Sequence, residues 1–572
     1  MDNNVLTLLG DEAAALGAVH AGMSAAYGYP GTPSTEIMEF LQIKAMENST
    51  DKQCSPFIAK WCTNEKTALE AALGTSFAGK RALVTMKHVG LNVASDPFIN
   101  SALLKINGGL VIAVADDPGM HSSQGEQDSR FYAFFALTPC LEPRNQQEAY
   151  DLCIEAFDVS ERFHIPVMLR LVTRLSHARS SVYIKPGKPV NPRPKTEDKT
   201  QWMLLPAHAR KNYVSLINKQ EELKIWSANH PLNKLELIDR DNSFAVITSG
   251  MGGNYYEENL AEIIVKNGKA PSRLHIAAYP LPGKSIQELC EKAEEVLIIE
   301  EGQPLIEEKL RGILPLSIKV RGRLGGISSY GSSESPCIPR TGELDPDNVR
   351  AALGLAKHSS VLDTLPDSSI ASQFAEGIIG RPPQLCQGCP HIDSYEALNK
   401  AVALLDSDAN HPKVCICSDI GCYSLGAAPP YSAIESIVCM GASVGMARGA
   451  ADAGIPYAFA VIGDSTFIHS GITALIDAVA ENTPMTLIIL DNSTIAMTGC
   501  QTTAIPSASL KNLILGTGID PCHYLELEAK KQFIDENSIK LKNEAEYYGL
   551  SVIVFKRECL EALRKRRKAE KK

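Results

Sequence analysis

The sequence predicts an α/β protein of several domains, each built on a mainly parallel sheet. Three observations carry that reading. Short apolar runs, such as LVIAVA at 110–115, YAFAVI at 457–462 and MTLIIL at 485–490, alternate with longer helical stretches such as residues 67–78. A strand that is apolar on both faces suits a parallel sheet covered by helices on both sides. Glycine-rich or acidic turns follow several of these runs directly, where open parallel sheets bind their ligands. Finally, 572 residues suffice for about three domains, each with its own core.

In chain order, residues 1–185 form the first predicted domain. Residues 186–241, opening on a Pro/Lys/Arg-rich run and continuing into a polar helical segment, read as a linker. The second domain, 242–335, starts with the strand at 244–248 and the turn SGMGG at 249–253. It contains the strand at 296–300, which ends on the acidic pair Glu300 and Glu301. Residues 336–375 are the predicted connector, 376–560 the third domain, and 561–572 a basic, solvated tail.

Composition removes several function classes. A net charge of −10 argues against a general nucleic-acid binder. The long apolar stretch 434–462 is interrupted by Arg448, Asp452 and several glycines, so it reads as buried core rather than a membrane span. The start of the chain lacks the basic and apolar segments of a secretory signal. Together with 15 cysteines, this predicts a reducing, cytoplasmic setting in which clustered thiols bind metal or stay reduced.

The most informative pattern lies in the third domain. The strand ending at 462 runs into GDST at 463–466, and the strand ending at 490 runs into DNST at 491–494. A single crossover unit separates them, so Asp464 and Asn492 are predicted to meet at neighbouring strand ends. Gly463 would let the backbone approach a phosphate closely. The helix starting near Ser465 would offer free N–H groups and a positive dipole end to the same anion. Hard oxygen donors from Asp464, Asn492 and a backbone carbonyl near Thr494 suit Mg²⁺, with phosphates completing its shell. Either dipeptide alone is usually just a turn; the two together after adjacent buried strands are far more specific. In the same domain Gly441, Gly445 and Gly449 recur every four residues, a bare helical stripe suited to close packing in a core or at an interface.

These turns have the Gly-Asp…Asn pattern of thiamine-diphosphate enzymes. GDSTFIHSG at 463–471 and LDNSTIAMTG at 490–499 resemble the large-subunit family of indolepyruvate:ferredoxin oxidoreductase, within the 2-oxo-acid:ferredoxin oxidoreductases. So do GYPGTPSTE at 28–36, MKHVGLN at 86–92 and DDPGMHSSQ at 116–124. The similarity extends from about residue 6 to residue 560. It implies a pyrimidine-binding first domain, a transketolase-C-like second and a diphosphate-binding third. It also implies thiamine diphosphate and Mg²⁺ as cofactors, with Gly31, Gly463, Asp464, Ser465, His391, Asn492 and Thr494 among the contacts.

By the same resemblance, Glu65 is the carboxylate beside the aminopyrimidine nitrogen. The residue-level alternative is a helix-start glutamate that merely faces the dipole. In a closed cleft its pKa would be raised. Thr32, Lys87 and His88 are implied to face the reacting carbon. His121, Ser122, Ser123 and Arg130 form a second polar block expected to line the cleft. His88, His121 and His391 are the candidate donors to the substrate, although each suits an ordinary structural histidine equally well.

Cys386 and Cys389 form a Cys-x-x-Cys, with Cys422 and Cys559 further on. In related enzymes cysteines at similar places hold a [4Fe-4S] cluster; four thiols would also satisfy zinc, or remain reduced. The family's usual two-cluster ferredoxin module is not found before Lys572, so electrons are expected to leave through a ferredoxin or ferredoxin-like subunit. The resemblance implies a 2-oxo acid, namely an arylpyruvate such as indolepyruvate or phenylpyruvate, with coenzyme A taking the acyl group. It implies, too, a smaller partner subunit and a dimer of large subunits. Two rival readings remain at this point: a non-oxidative thiamine-dependent decarboxylase or lyase, and a catalytically silent scaffold.

Overall fold

A computed structural model describes residues 4–50, 56–190, 193–238, 243–315, 317–324, 335–358, 383–405 and 413–570. The chain forms two compact units, Met1–Gln373 and Phe374–Lys572.

The first unit is organised by a seven-stranded sheet. Its order is Ala278–Tyr279, Cys140–Leu141, Val167–Val172, Leu110–Asp116, Ala82–Lys87, Ala25–Gly28 and Ile58–Trp61. All pairings are parallel except the edge, where Ala278–Tyr279 runs against Cys140–Leu141. The strands Ala82–Lys87, Leu110–Asp116 and Val167–Val172 are buried at every residue, as the apolar runs require. Parallel strands end on one edge of a sheet. The segments after Gly28, Trp61, Lys87 and Asp116 therefore collect there, although they are far apart in sequence.

A second sheet in the same unit has the order Lys319–Arg321, Glu295–Ile299, Phe244–Ser249, Ser272–Ile276 and Leu235–Glu236. One apolar cluster runs from the first sheet into this one. The stretch read as a linker takes part: its helix Pro206–Ala228 buries Leu216, Leu223 and Trp226 in that cluster. Residues 191–192 and 239–242 lie outside the described part. The connector, where described, likewise supplies Ile338, Leu344, Val349 and Ala352 to the core on the other face of the second sheet.

A buried ionic network also joins the two sheets. Arg170 Nε lies 2.7 Å from Asp116 and its Nη1 2.5 Å from Glu142, while Arg130 Nη2 lies 2.5 Å from Asp128 and 3.0 Å from Glu300. The Glu300–Glu301 pair noted in the sequence belongs here. Glu300 accepts the backbone N–H groups of Ile306 and Glu307 at 3.0 Å, capping the helix Leu305–Ile313, and the Glu301 carbonyl accepts from both arginines.

The second unit holds a six-stranded sheet, parallel throughout, in the order Ser436–Ile437, Val414–Ser418, Tyr457–Gly463, Met485–Asp491, Ser551–Lys556 and Tyr524–Glu528. Alternate residues point to opposite faces. Phe459, Val461, Ile488, Leu490, Ile553 and Phe555 meet the helices Pro390–Leu405 and Ile534–Ala545. Ala460, Ile462, Leu487, Ile489 and Val554 meet Ala442–Asp452, Ile472–Ala480 and Ser507–Leu515. Of the glycine stripe, Gly441 is the left-handed cap of Ala442–Asp452 at φ 83°. A Cβ on Gly445 or Gly449 would meet nothing within 4 Å. Among the described residues, therefore, Gly445 and Gly449 meet no packing partner. Among the described residues no helix is long and apolar enough to cross a membrane.

Candidate functional site

The strands Tyr457–Gly463 and Met485–Asp491 are direct neighbours, with Gly463 opposite Leu490. This register sets Asp464 beside the DNST turn. The Ser493 N–H donates to Asp464 Oδ2 at 3.0 Å and to Asp491 Oδ1 at 3.1 Å. Ser493 takes the left-handed conformation, φ 61°, which folds the turn back over the neighbouring strand end. The helix predicted near Ser465 begins at Asp464. It passes through a π-helical turn, Phe467–Gly471, before continuing as Ile472–Ala480; such turns recur at functional sites.

Asp464 is buried. Desolvation and then the nearby Asp491 carboxylate push its pKa well above the usual carboxylate range. Two crowded carboxylates at adjacent strand ends leave negative charge that a divalent cation would neutralise, and their hard oxygens fit Mg²⁺.

His391 completes the turn from behind. Burial pushes its pKa down to about 4, so the neutral ring can accept from the Asn492 amide, whose Nδ2 lies 3.3 Å from Nε2. On its other side Asn492 Oδ1 accepts the Thr494 N–H at 3.1 Å, and the Thr494 hydroxyl donates to the Gln501 carbonyl at 3.0 Å. The amide is thus oriented from both ends.

Sequence reading missed a layer beneath this turn. A Cβ on Gly463 would lie 2.5 Å from the Tyr423 ring, so that aromatic side chain already requires the glycine. The Tyr423 hydroxyl donates to Asp419, which accepts the Ser443 hydroxyl at 2.6 Å and the Ser443 N–H at 3.2 Å. Burial pushes Asp419 up to about 6. The available signal was SDIG following the strand Val414–Ser418, a third acidic turn on the same sheet edge.

Cys386, Cys389, Cys422 and Cys559 line one cavity of about 90 Å³, shared with His391 and Asn492. Burial, followed by mutual repulsion, pushes Cys389 up to about 11 and Cys422 up to about 12. A fifth thiol, Cys500, hydrogen-bonds Cys559. The donor set has the chemistry of an iron–sulfur site. As they stand, among the described residues, no three His, Cys, Asp or Glu side chains converge closely enough to hold a metal ion.

In the first unit the strand ends assemble a different constellation. Glu65 is the first residue of the helix Glu65–Phe77, whose Asn64 cap accepts the Thr67 N–H at 2.9 Å. It is 4% exposed, and a Cβ on Gly90 would lie 2.5 Å from its Oε1, so this glycine leaves the carboxylate its room. Lys87 packs its stem on Gly31, and its Nζ donates to the Ser122 carbonyl at 2.9 Å. Burial pushes Lys87 down to about 8, against the pull of Asp117 and Glu65. His88 Nε2 lies 3.0 Å from the Gly125 carbonyl, while its buried Nδ1 has no hydrogen-bond partner among the described residues.

The segment 117–125 lies across these side chains. Asp117 Oδ2 accepts the Ser122 N–H at 2.8 Å and the Ser123 hydroxyl at 2.7 Å, and the Thr32 carbonyl accepts the Ser122 hydroxyl at 3.2 Å. His121 is exposed, with Nε2 3.4 Å from Glu343. Arg130, expected to line the cleft, is instead fully buried in the ionic network, because three carboxylates and two carbonyls surround its guanidinium.

Two family models fall on these regions. "Pyruvate flavodoxin/ferredoxin oxidoreductase, thiamine diP-bdg" matches residues 16–216, and "Thiamine pyrophosphate enzyme, C-terminal TPP binding domain" matches 419–568. Indolepyruvate oxidoreductase subunit IorA of Archaeoglobus fulgidus is 35% identical, covering 96% of this chain and 86% of its own. The chain belongs to this family. The IorA subunit of Methanothermobacter thermautotrophicus is 33% identical over 98% of this chain and 87% of its own. A solved structure, 2-oxoglutarate:ferredoxin oxidoreductase from Magnetococcus marinus, matches at TM-score 0.46 and 16% identity, covering 54% of this chain and 60% of that one. Membership makes this a subunit with thiamine-diphosphate-binding domains. Glu65 falls inside the first matched region, and Asp464 and Asn492 inside the second.

Proposed function

We propose that this chain is the thiamine-diphosphate subunit of an enzyme that oxidatively decarboxylates a 2-oxo acid and delivers the electrons to a ferredoxin or ferredoxin-like subunit. The observation that carries the oxidative reading is the shared cavity: four cysteines line the same space as His391 and Asn492, beside the turn read as the diphosphate end.

In this reading, when bound, thiamine diphosphate supplies the carbon nucleophile and the electron sink for decarboxylation. Asp464, Asn492 and the Thr494 carbonyl hold Mg²⁺ and, with Gly463 and Ser465, its diphosphate. His391 keeps the Asn492 amide in register. Glu65 exchanges a proton with the aminopyrimidine nitrogen, and Gly90 preserves the space for it. Lys87, cationic and desolvated, receives the substrate carboxylate, and His88 presents a buried, unpaired ring nitrogen to the substrate oxygen. Thr32 and Gly31 form the adjoining wall, while His121 lies nearer solvent. Cys386, Cys389, Cys422 and Cys559 take a [4Fe-4S] cluster.

The substrate class we propose is an arylpyruvate, with coenzyme A as acyl acceptor, a smaller partner subunit and a dimer of large subunits. The test is an anaerobic assay of the co-expressed complex with a panel of 2-oxo acids, coenzyme A and a viologen dye, alongside iron and sulfide analysis. Dye reduction strongest with indolepyruvate or phenylpyruvate, in protein containing iron and sulfide, is the expected result. Active, iron-free protein releasing aldehyde would establish the non-oxidative rival instead.

A further inference from the structure

The basic segment at the end of the second unit is helical and anchored. Its helix, Leu560–Ala569, is capped by Cys559, one of the four cysteines of the shared cavity. The first two helical residues, Leu560 and Glu561, line that cavity as well. A Cβ on Gly388 would lie 3.2 Å from the Leu560 side chain, so the Cys386–Cys389 loop borders the helix. Lys565 Nζ donates to the Gly499 carbonyl at 2.6 Å, which ties the helix to the loop that carries Cys500. Cys386 is exposed, so the cavity reaches the surface on this rim.

Five successive cations, Arg564 to Lys568, occupy the rest of the helix. Residues three or four apart share a helix face, so Arg564 neighbours Arg567 and Lys568, and Lys565 neighbours Lys568; like charges so placed repel. Two of the five are compensated. Arg564 pairs with Glu561, and Arg566 Nη1 lies 2.6 Å from Glu558. Arg567 and Lys568 are exposed and form no ion pair among the described residues. The other carboxylate of the segment is Glu570, and the sequence follows it with Lys571 and Lys572. A positive patch therefore stands on a chain whose net charge is −10. With a helical rise of about 1.5 Å per residue, its cations lie roughly 8 to 14 Å along the axis from Cys559.

An electron acceptor must come close to the thiol cavity and leave again. Encounters of that kind bury little surface, so charge guides and orients them. A positive rim beside the cavity selects an acidic protein. Met497, half exposed on the Cys500 loop, offers the same partner an apolar contact next to the charge.

We propose that the helix Leu560–Ala569, with the rim at Cys386 and Met497, is the docking surface for a small acidic iron–sulfur protein. This rests on the oxidative reading above and adds where, and by which charges, the acceptor is held. Arg567 and Lys568 are the steering cations.

The test is calorimetric titration of the anaerobically purified, co-expressed complex with an acidic two-cluster bacterial ferredoxin. Wild-type binding should weaken about tenfold as salt rises from about 50 to about 300 mM. Arg567→Glu combined with Lys568→Glu should weaken it at least about tenfold at the lower salt. The same variant should keep the wild-type melting temperature and the wild-type rate with a viologen dye, which needs no docking surface. Arg567→Lys combined with Lys568→Arg should retain the affinity. Viologen reduction by wild type together with ferredoxin binding that is absent, or indifferent to the charge reversal, overturns the docking surface alone. A complex that reduces neither acceptor removes the oxidative reading and this proposal with it. Tighter binding to phosphatidylserine vesicles than to ferredoxin, lost on charge reversal, would assign the helix to a lipid surface and overturn the proposal.

Discussion

The Asn492 amide faces the His391 ring at 3.3 Å, across 101 residues of sequence. Because burial keeps His391 neutral, the ring acts as acceptor and turns the amide so that Oδ1 points the other way, toward the Thr494 N–H. A helix outside the strand–turn motif thereby sets the geometry of the proposed magnesium ligand, as outer-shell partners commonly do. His391→Ala should weaken Mg²⁺-dependent cofactor binding about 10–100-fold, with His391→Gln recovering part of it. Titration of thiamine diphosphate at fixed Mg²⁺ checks this.

Asp464 should impose opposite demands on stability and binding. Its buried carboxylate beside Asp491 is unfavourable when no cation is present. Asp464→Asn should therefore raise the melting temperature of the metal-free protein while abolishing the further rise that Mg²⁺ and cofactor give wild type. Scanning calorimetry with and without both ligands reads the two effects separately.

Glu65→Gln should lower turnover at least about 100-fold, the scale of general acid–base contributions, with cofactor affinity within a few fold. Gly90→Ala should also lower turnover, since its Cβ would press on the Glu65 carboxylate at 2.5 Å. Steady-state rates together with cofactor titration separate this from unfolding.

Lys87 gives the pH dependence. Its pKa is about 8, so it is cationic below that pH and neutral above it. KM for the 2-oxo acid should climb as pH rises through about 8. Lys87→Arg should keep KM flat over that range, while Lys87→Met should raise it at every pH. A wild-type KM independent of pH from 7 to 9 would remove Lys87 from carboxylate binding.

The ionic network is structural. Arg170 is fully buried against Asp116 and Glu142, and Arg170→Met would take the paired cation from both, leaving Asp116 the Ser129 N–H and Glu142 the Tyr279 hydroxyl. Removing one partner of such a set typically costs about 3–5 kcal/mol. Denaturant unfolding should show a loss of that order, and a loss below about 1 kcal/mol would contradict the assignment.

Much of this architecture was legible in the residues. Apolar runs at 110–115, 457–462 and 485–490 became fully buried or nearly fully buried parallel strands because a doubly covered sheet leaves no polar face to write. The meeting of Asp464 with the DNST turn followed from one crossover between two strands. What stayed hidden depends on long-range packing. The helix Pro206–Ala228 looked like linker because its apolar residues form no single stripe; Tyr213, Val214, Ile217 and Ile225 are exposed, yet Leu216, Leu223 and Trp226 dock on the first core. Arg130 looked like a substrate-facing cation, and nothing local announced that Asp128 and Glu300 would enclose it. Of the layer of Asp419, Tyr423 and Ser443, only the SDIG turn left a local trace; the contacts of Tyr423 and Ser443 with Asp419 arise only when separate segments converge.

The most direct test of the central claim is equilibrium binding of thiamine diphosphate to the purified chain with and without Mg²⁺, in wild type and Asp464→Asn. The account predicts saturable, magnesium-dependent binding in wild type and none in the variant. Wild-type protein that ignores the cofactor at millimolar concentration with Mg²⁺ present, or a variant that binds it as well as wild type does, would contradict it.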